Sequence, residues 1–113
     1  MDRDLVAGAL ENLLQNAFEA TPRDAAPGTV TVRTALARAR QTQGVLLSVE
    51  DAGNGMSART RERAFDDFFT TKATGSGLGL AFVRRVAEAH GGDVSFVSKE
   101  GAGTTARLFL PLE

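Results

Sequence analysis

The 113-residue chain has no cysteine, no tryptophan and no tyrosine, one histidine and three prolines. Without cysteine there is no disulfide, no thiolate metal site and no thiol nucleophile. A single histidine excludes a centre built from several imidazoles, and neither a Ser/His/Asp constellation nor a paired-carboxylate hydrolase pattern is present. Thirteen basic and fourteen acidic residues leave a net charge of −1. With no basic block there is no footprint for nucleic acid. No apolar run approaches the roughly 20 residues of a membrane span, and no signal peptide is seen. These absences lead us to expect a soluble, cytoplasmic domain. The length fits one domain over 1–113, and 42% apolar with 24% charged residues is an ordinary globular balance. Seven phenylalanines supply all the aromatic bulk.

What the chain does have is glycine in clusters. Asp51-Ala52-Gly53-Asn54-Gly55-Met56 is followed nineteen residues later by Gly75-Ser76-Gly77-Leu78-Gly79-Leu80. Glycine is needed where backbone approaches a ligand closely or takes positive φ. Around these loops the periodicity predicts a regular order of elements. Residues 3–20 read as a helix, with Ala9, Leu10, Leu13, Leu14, Ala17 and Ala20 on one arc at about 100° per residue, ended by Thr21-Pro22. Residues 29–38 and 44–50 read as paired strands joined by a polar turn around Ala39–Gln43. Residues 57–64 are expected as a short helix capped by Ser57, and 66–76 as loop. A second long helix is expected from about Gly77 to His90, striped by Leu78, Phe82, Val86 and Ala89 with Val83, and stopped by Gly91-Gly92. Residues 93–98 and 104–110 alternate around Gly101-Ala102-Gly103 and suggest a hairpin. The expected fold is α/β (α+β): a two-layer sandwich with a mixed, largely antiparallel sheet and helices on one face.

Asn12 and Asn16 lie about 40° apart on the first helix, at the border of the apolar arc. They are either surface asparagines or a hard-oxygen site suited to Mg²⁺. Asp51 follows a strand and precedes two glycines. Its carboxylate is either a turn residue or an acceptor for adenine's exocyclic amine, which guanine's carbonyl would repel. Gly75, Gly77 and Gly79 open a helix whose free N–H groups attract phosphate. The G-x-G-x-G spacing and polar lead-in do not fit the dinucleotide fingerprint. Phe65, Phe68 and Phe69 are core or lid anchors, and Lys72 is solvated or reaches phosphate. His90, at a helix C-terminus, is expected to complement the helix dipole.

Taken in order, the motifs resemble the ATP-binding catalytic domain of sensor histidine kinases. The wider superfamily includes gyrase B, the ninety-kilodalton heat-shock chaperone and the mismatch-repair ATPase. ENLLQNAFEA looks like the N box, DAGNGM and GSGLGL like the two glycine boxes, FDDFFTTK like the F box, and EGAGTTARLFLP like the final strand pair. The short FFTTK-to-GLGL stretch is similar to the nitrogen-regulation-like subgroup. The resemblance implies a Bergerat-type fold that binds ATP and Mg²⁺. It places Asn12, Asn16, Glu19, Asp51, Gly53, Gly55, Met56, Thr71, Lys72, Gly75, Ser76, Gly77, Leu78, Gly79, Leu80 and Thr104 around the nucleotide. Asn16 would ligate Mg²⁺, Asp51 would read adenine, Gly53 and Gly55 would admit the base, and residues from about Asp67 to Ser76 would form a lid, poorly ordered without nucleotide. Glu19 stands where many kinases carry Lys or Arg, and Lys72 is the substitute candidate.

The resemblance also bears on the reaction. In the gyrase and chaperone branches a glutamate four residues before the Mg²⁺-binding asparagine activates water. Here that position is Asn12, and Glu11 is turned about 100° away. Slow hydrolysis would reserve ATP for a protein acceptor, a histidine on a helical dimerisation domain, followed by the receiver domain of a response regulator. Neither that domain nor the family's additional upstream strand is in this sequence, so the chain is expected to be a monomeric piece of a longer protein. A nucleotide-binding switch without catalysis and a self-contained ATPase are the alternatives.

Overall fold

A computed structural model of the protein describes residues 2–20, 30–52, 79–98 and 103–112. Within them lie helix α1 (Arg3–Ala20), strands β1 (Thr31–Ala39) and β2 (Thr42–Asp51), helix α2 (Gly79–Ala89), and strands β3 (Asp93–Ser98) and β4 (Thr104–Pro111). The short helix expected at 57–64, the loop at 66–76 and the lid fall outside the described residues, as do Phe65, Phe68 and Phe69.

α1 starts at an N-cap. Asp2 Oδ1 accepts the Leu5 N–H at 3.0 Å, satisfying one of the donors a helix start leaves free. Asp4 adds negative charge in the first turn, where the helix dipole favours it. Five residues of the expected arc form the buried face: Ala9, Leu13 and Ala17 are buried, with Leu10 and Leu14 packed against the core; the side chain of Ala20 lies outside what is described. In α2 the stripe differs from the expected one. Ala81, Val83, Val86 and Ala87 are buried, Phe82 is half-buried and Ala89 is exposed. The stripe centres on Val83 because α2 must cover two surfaces at once, the sheet below and α1 beside it. α2 ends in a Schellman turn: Gly91 N–H donates to Glu88 C=O at 3.0 Å and Gly92 N–H to Ala87 C=O at 2.8 Å, with Gly91 at φ 74°.

The sheet order is β1-β2-β4-β3, and all three pairings are antiparallel. β1 and β2 meet through a two-residue turn, tighter than the expected Ala39–Gln43 turn. Ala39 pairs with Thr42, and Arg40 and Gln41 both take left-handed conformations, φ 51° and 64°. That is the turn whose twist matches a hairpin, built here without glycine or asparagine. Register stacks the core-facing residues of three strands into rows: Val45 with Leu110; Leu47, Leu108 and Val94; Val49, Ala106 and Phe96. Leu13, Val49, Val83 and Leu108 are the largest fully buried side chains. Each contributes on the order of 1.5–3 kcal/mol by leaving water. α1 packs on β2, and α2 on β3 and β4, so both helices cover the one face that these rows form. β1 and β3 are the edge strands of the described sheet; β1 is mostly exposed, with Val32 and Leu36 at 44% and 71%.

Candidate functional site

The direction of the elements decides which residues meet. α2 turns tightly into β3, so the two run antiparallel, and Gly79 lies at the same end as Ser98. Their lengths agree: about 15 Å for α2 at 1.5 Å per residue and about 17 Å for β3 at 3.3 Å per residue. α1 is antiparallel to α2, as three contacts in opposite chain sense establish. The Asp2 N–H donates to His90 Nε2 at 2.9 Å. A Cβ on Gly8 would stand 3.2 Å from Phe82 Cε2, and one on Gly79 would stand 2.7 Å from Asn12 Oδ1. Asn12 therefore lies beside the first residue of α2, and α1 carries Asn16 and Glu19 onward past that end.

At this same end the apolar rows of the sheet give way to a polar one. Asp51, Thr104 and Ser98 are aligned across β2, β4 and β3. Asp51 and Thr104 are the only buried polar or charged residues among those described, 6% and 7% exposed. Ser98 Oγ donates to the Gly103 carbonyl at 3.2 Å, so the 2.8 Å contact between the two hydroxyls has Thr104 Oγ1 donating to Ser98. No buried side-chain nitrogen or oxygen among the described residues lacks a partner, as the cost of leaving one unpaired requires. Gly103 takes φ 87°, and a Cβ there would run into the Asp51 carbonyl. That close approach fixes the position of Asp51 at the mouth of the core.

Asn12, Asn16 and Glu19, at i, i+4 and i+7, share a strip of α1. Asn12 is half-buried: its Nδ2 donates to the Gly8 carbonyl at 2.8 Å, which turns Oδ1 toward Gly79. The conformation of Gly79 is ordinary, so its lack of a side chain serves contact with Asn12. Asn16 is half-buried. Glu19 is exposed and accepts from Gln15 Nε2 at 3.2 Å. Glu11 is exposed, on a different face from Asn12. Leu80 packs against the core.

Of the residues singled out in the sequence, the structure brings Asn12, Asn16, Glu19, Asp51, Gly79, Leu80 and Thr104 to one end of the sandwich. Gly53, Gly55, Met56, Thr71, Lys72, Gly75, Ser76, Gly77 and Leu78 lie outside the described residues. The segment that carries them leaves from Asp51 and returns at Gly79, both at this end. Sequence reasoning missed Ser98, which strand alternation from Val94 and Phe96 places on the inner face. It also missed the tertiary bond of His90, whose ring ties α2 to α1 by accepting the Asp2 N–H. Among the described residues no three His, Asp or Glu side chains converge on a metal position, and no helix is long and apolar enough to cross a membrane.

Comparison with known proteins identifies the family. The profile of the histidine kinase-, DNA gyrase B- and HSP90-like ATPases matches residues 1–113. The chain belongs to this family. Relatives similar to it include sensor histidine kinases. It is 40% identical over 111 residues to the sensor histidine kinase ZraS of Escherichia coli K12, across 98% of this chain and 22% of that protein. It is 37% identical over 116 residues to the sensor-like histidine kinase SenX3 of Mycobacterium bovis, across 97% of this chain and 27% of that one. The chain thus spans about a quarter of these relatives' length. Among solved structures, the mycobacterial sensor histidine kinase MprB superposes with a TM-score of 0.81 at 31% identity, over 98% of this chain and 72% of that one. The nucleotide-free catalytic domain of histidine kinase ThkA gives 0.78 at 33% identity, over 97% and 68%. Membership and fold agree with the α/β architecture expected from the sequence, and membership carries ATP use with it.

Proposed function

We propose that this domain binds ATP with Mg²⁺ and presents the γ-phosphate for transfer to a histidine on a separate helical domain of the same parent protein, in a two-component relay that continues to a response regulator's receiver domain. The observation that carries the reading is the buried Asp51 carboxylate, set with Thr104 at the end of the core where the N-terminus of α2 and the Asn12/Asn16 strip also lie. Asp51 accepts the exocyclic amine of adenine, and Thr104 holds the polar row beside it. The start of α2 turns its free N–H groups toward phosphate. The Asn16 amide oxygen is a hard donor of the kind Mg²⁺ takes alongside phosphate and water. When bound, the ion supplies positive charge that offsets the charge developing on the transferring phosphoryl group. Gly53, Gly55 and Met56 complete the base wall, and Thr71, Lys72, Gly75, Ser76, Gly77 and Leu78 the phosphate side. Asn12, standing where a water-activating base would be, leaves hydrolysis slow. Positioning and charge neutralisation suffice for transfer to a protein acceptor.

Calorimetric titration with Mg-ATP tests the site. Asp51→Asn sets an amide donor against the adenine amine and costs about 2 kcal/mol, roughly thirtyfold in affinity. Equal affinity of Asp51→Asn and the unaltered protein would remove Asp51 from the base site. Turnover separates the alternatives: rapid, sustained ATP hydrolysis by the domain alone would make it a self-contained ATPase. Failure to produce phosphohistidine on the parent's histidine-bearing domain would make it a switch.

A further inference from the structure

We infer that His90 is a positioning residue for the nucleotide site, acting through the register of the two helices that wall it; the inference rests on the ATP-site reading above. The His90 ring is bonded on both sides. Nε2 accepts the Asp2 N–H at 2.9 Å, and Nδ1 lies 2.8 Å from the Val86 carbonyl. A carbonyl only accepts, so Nδ1 carries the proton and the neutral ring with a free Nε2 lone pair is the form that satisfies both. The Asp2 end is itself fixed. Its carboxylate caps Leu5 at 3.0 Å, and its carbonyl accepts the Val6 N–H at 3.0 Å. The ring thus pins the first turn of α1 to the last turn of α2.

The other end of the same helix pair is the Asn12–Gly79 contact, where there is no room for a methyl group. Between them Phe82 lies against Gly8, again at a distance that leaves little slack. Two rigid helices pinned at one end and abutting at the other have one degree of freedom that matters, a slide along their shared axis. His90 restrains that slide, and Asn12 and the N-terminus of α2 feel it. Without the bond, registers that misplace Asn12 against α2 become populated, and apparent affinity falls by the fraction of molecules that leave the competent register.

Two substitutions divide the ring's two bonds. In His90→Gln the amide oxygen reaches the place of Nε2 and keeps the bond to Asp2. In His90→Asn the amide nitrogen reaches the place of Nδ1 and keeps only the bond to Val86. Each is titrated with Mg-ATP by calorimetry, alongside thermal unfolding. The expected result is a loss of about fivefold in affinity for His90→Asn, the worth of one hydrogen bond, while His90→Gln stays within about twofold of the unaltered chain. If both variants lower the melting temperature but bind Mg-ATP as the unaltered chain does, His90 is a stabilising residue only and the inference is overturned. Should either variant fail to fold, the ring ¹⁵N resonances of the unaltered protein decide. Linkage requires nucleotide to strengthen a bond that supports its binding, so Mg-ATP shifts the Nε2 signal, and an unmoved signal overturns the inference. No binding by the unaltered chain would instead defeat the ATP-site reading.

Discussion

Gly79→Ala combines a local gain with a tertiary loss, and its sign is decided by one neighbour. Gly79 is the first residue of α2 and is not among the glycines at positive φ, so its backbone accepts alanine. Replacing a helical glycine with alanine stabilises by roughly 0.5–1 kcal/mol. Against this, the added Cβ would stand 2.7 Å from Asn12 Oδ1, about 0.7 Å inside ordinary contact. Asn12 cannot turn its amide away freely, since Nδ2 is held by the Gly8 carbonyl at 2.8 Å. Giving up that bond costs about 1 kcal/mol, and keeping it forces the N-terminus of α2 outward. The two effects nearly cancel in stability, and Gly79→Ala alone is expected to unfold within about 0.5 kcal/mol of the unaltered protein. Once the obstructing amide is removed, in an Asn12→Ala background, the same substitution stabilises by roughly 0.5–1 kcal/mol. Urea unfolding of the four proteins in the cycle measures this coupling. Equal effects of Gly79→Ala in the two backgrounds would refute the contact. Affinity for Mg-ATP supplies a second readout: Gly79→Ala alone is expected to lower it by about tenfold, because either response moves a wall of the site.

Other substitutions test neighbouring parts. Gly103→Ala meets both a left-handed conformation, φ 87°, and the Asp51 carbonyl; a loss of about 2 kcal/mol or more is expected in urea unfolding, and a smaller one would mean that β2 and β4 can separate there. Leu108→Ala empties a site that is 0% exposed at the centre of the sheet and is expected to cost about 2–5 kcal/mol, read as a fall in the urea midpoint. Arg40→Asn with Gln41→Gly places preferred residues in the left-handed turn between β1 and β2 and is expected to raise stability by about 1 kcal/mol; no gain would mean that the turn carries little strain. Thr104→Val keeps the shape of the polar row but removes the hydroxyl that donates to Ser98. About 1 kcal/mol of destabilisation is expected, with weaker Mg-ATP binding in the same titration.

The elements were legible where periodicity and punctuation agreed. The α1 arc, the glycine stop after His90 and the alternation in β3 and β4 each rest on local geometry that sequence carries directly. The stripe of α2 was harder to read. A hydrophobic period locates one buried direction, whereas α2 packs against both the sheet and α1, which moves the centre to Val83 and leaves Ala89 in solvent. The turn at Arg40-Gln41 carried no signal, since neither residue favours positive φ; the hairpin register imposes it. At the site, motif order was enough to single out Asn12, Asn16, Asp51 and Thr104. Their grouping at one end depends on α1 running antiparallel to α2, a tertiary fact. Ser98 and the bond from Asp2 to His90 depend on pairings 5 and 88 residues apart, and a motif read in isolation does not contain them.

Position 12 links the packing of the domain to the chemistry proposed for it. The hydrolytic branches resembled here carry a glutamate at this place, and its absence alone would mean only that a base is missing. In this fold the position is filled by a residue that braces the helix pair. The Asn12 amide donates to the Gly8 carbonyl and sets its oxygen against Gly79, joining α1 to the first turn of α2. A glutamate has no donor for that carbonyl, and its carboxylate would face a backbone acceptor that repels it. The amide therefore serves the two helices in a way a carboxylate cannot, and the nearest acidic side chain on α1, Glu11, is exposed on another face. On the function proposed above, a domain so arranged would hold the phosphate end of ATP beside two braced helices without offering water a base. That is the division of labour a phosphoryl donor to a separate protein requires: tight positioning here, and the nucleophile supplied from outside.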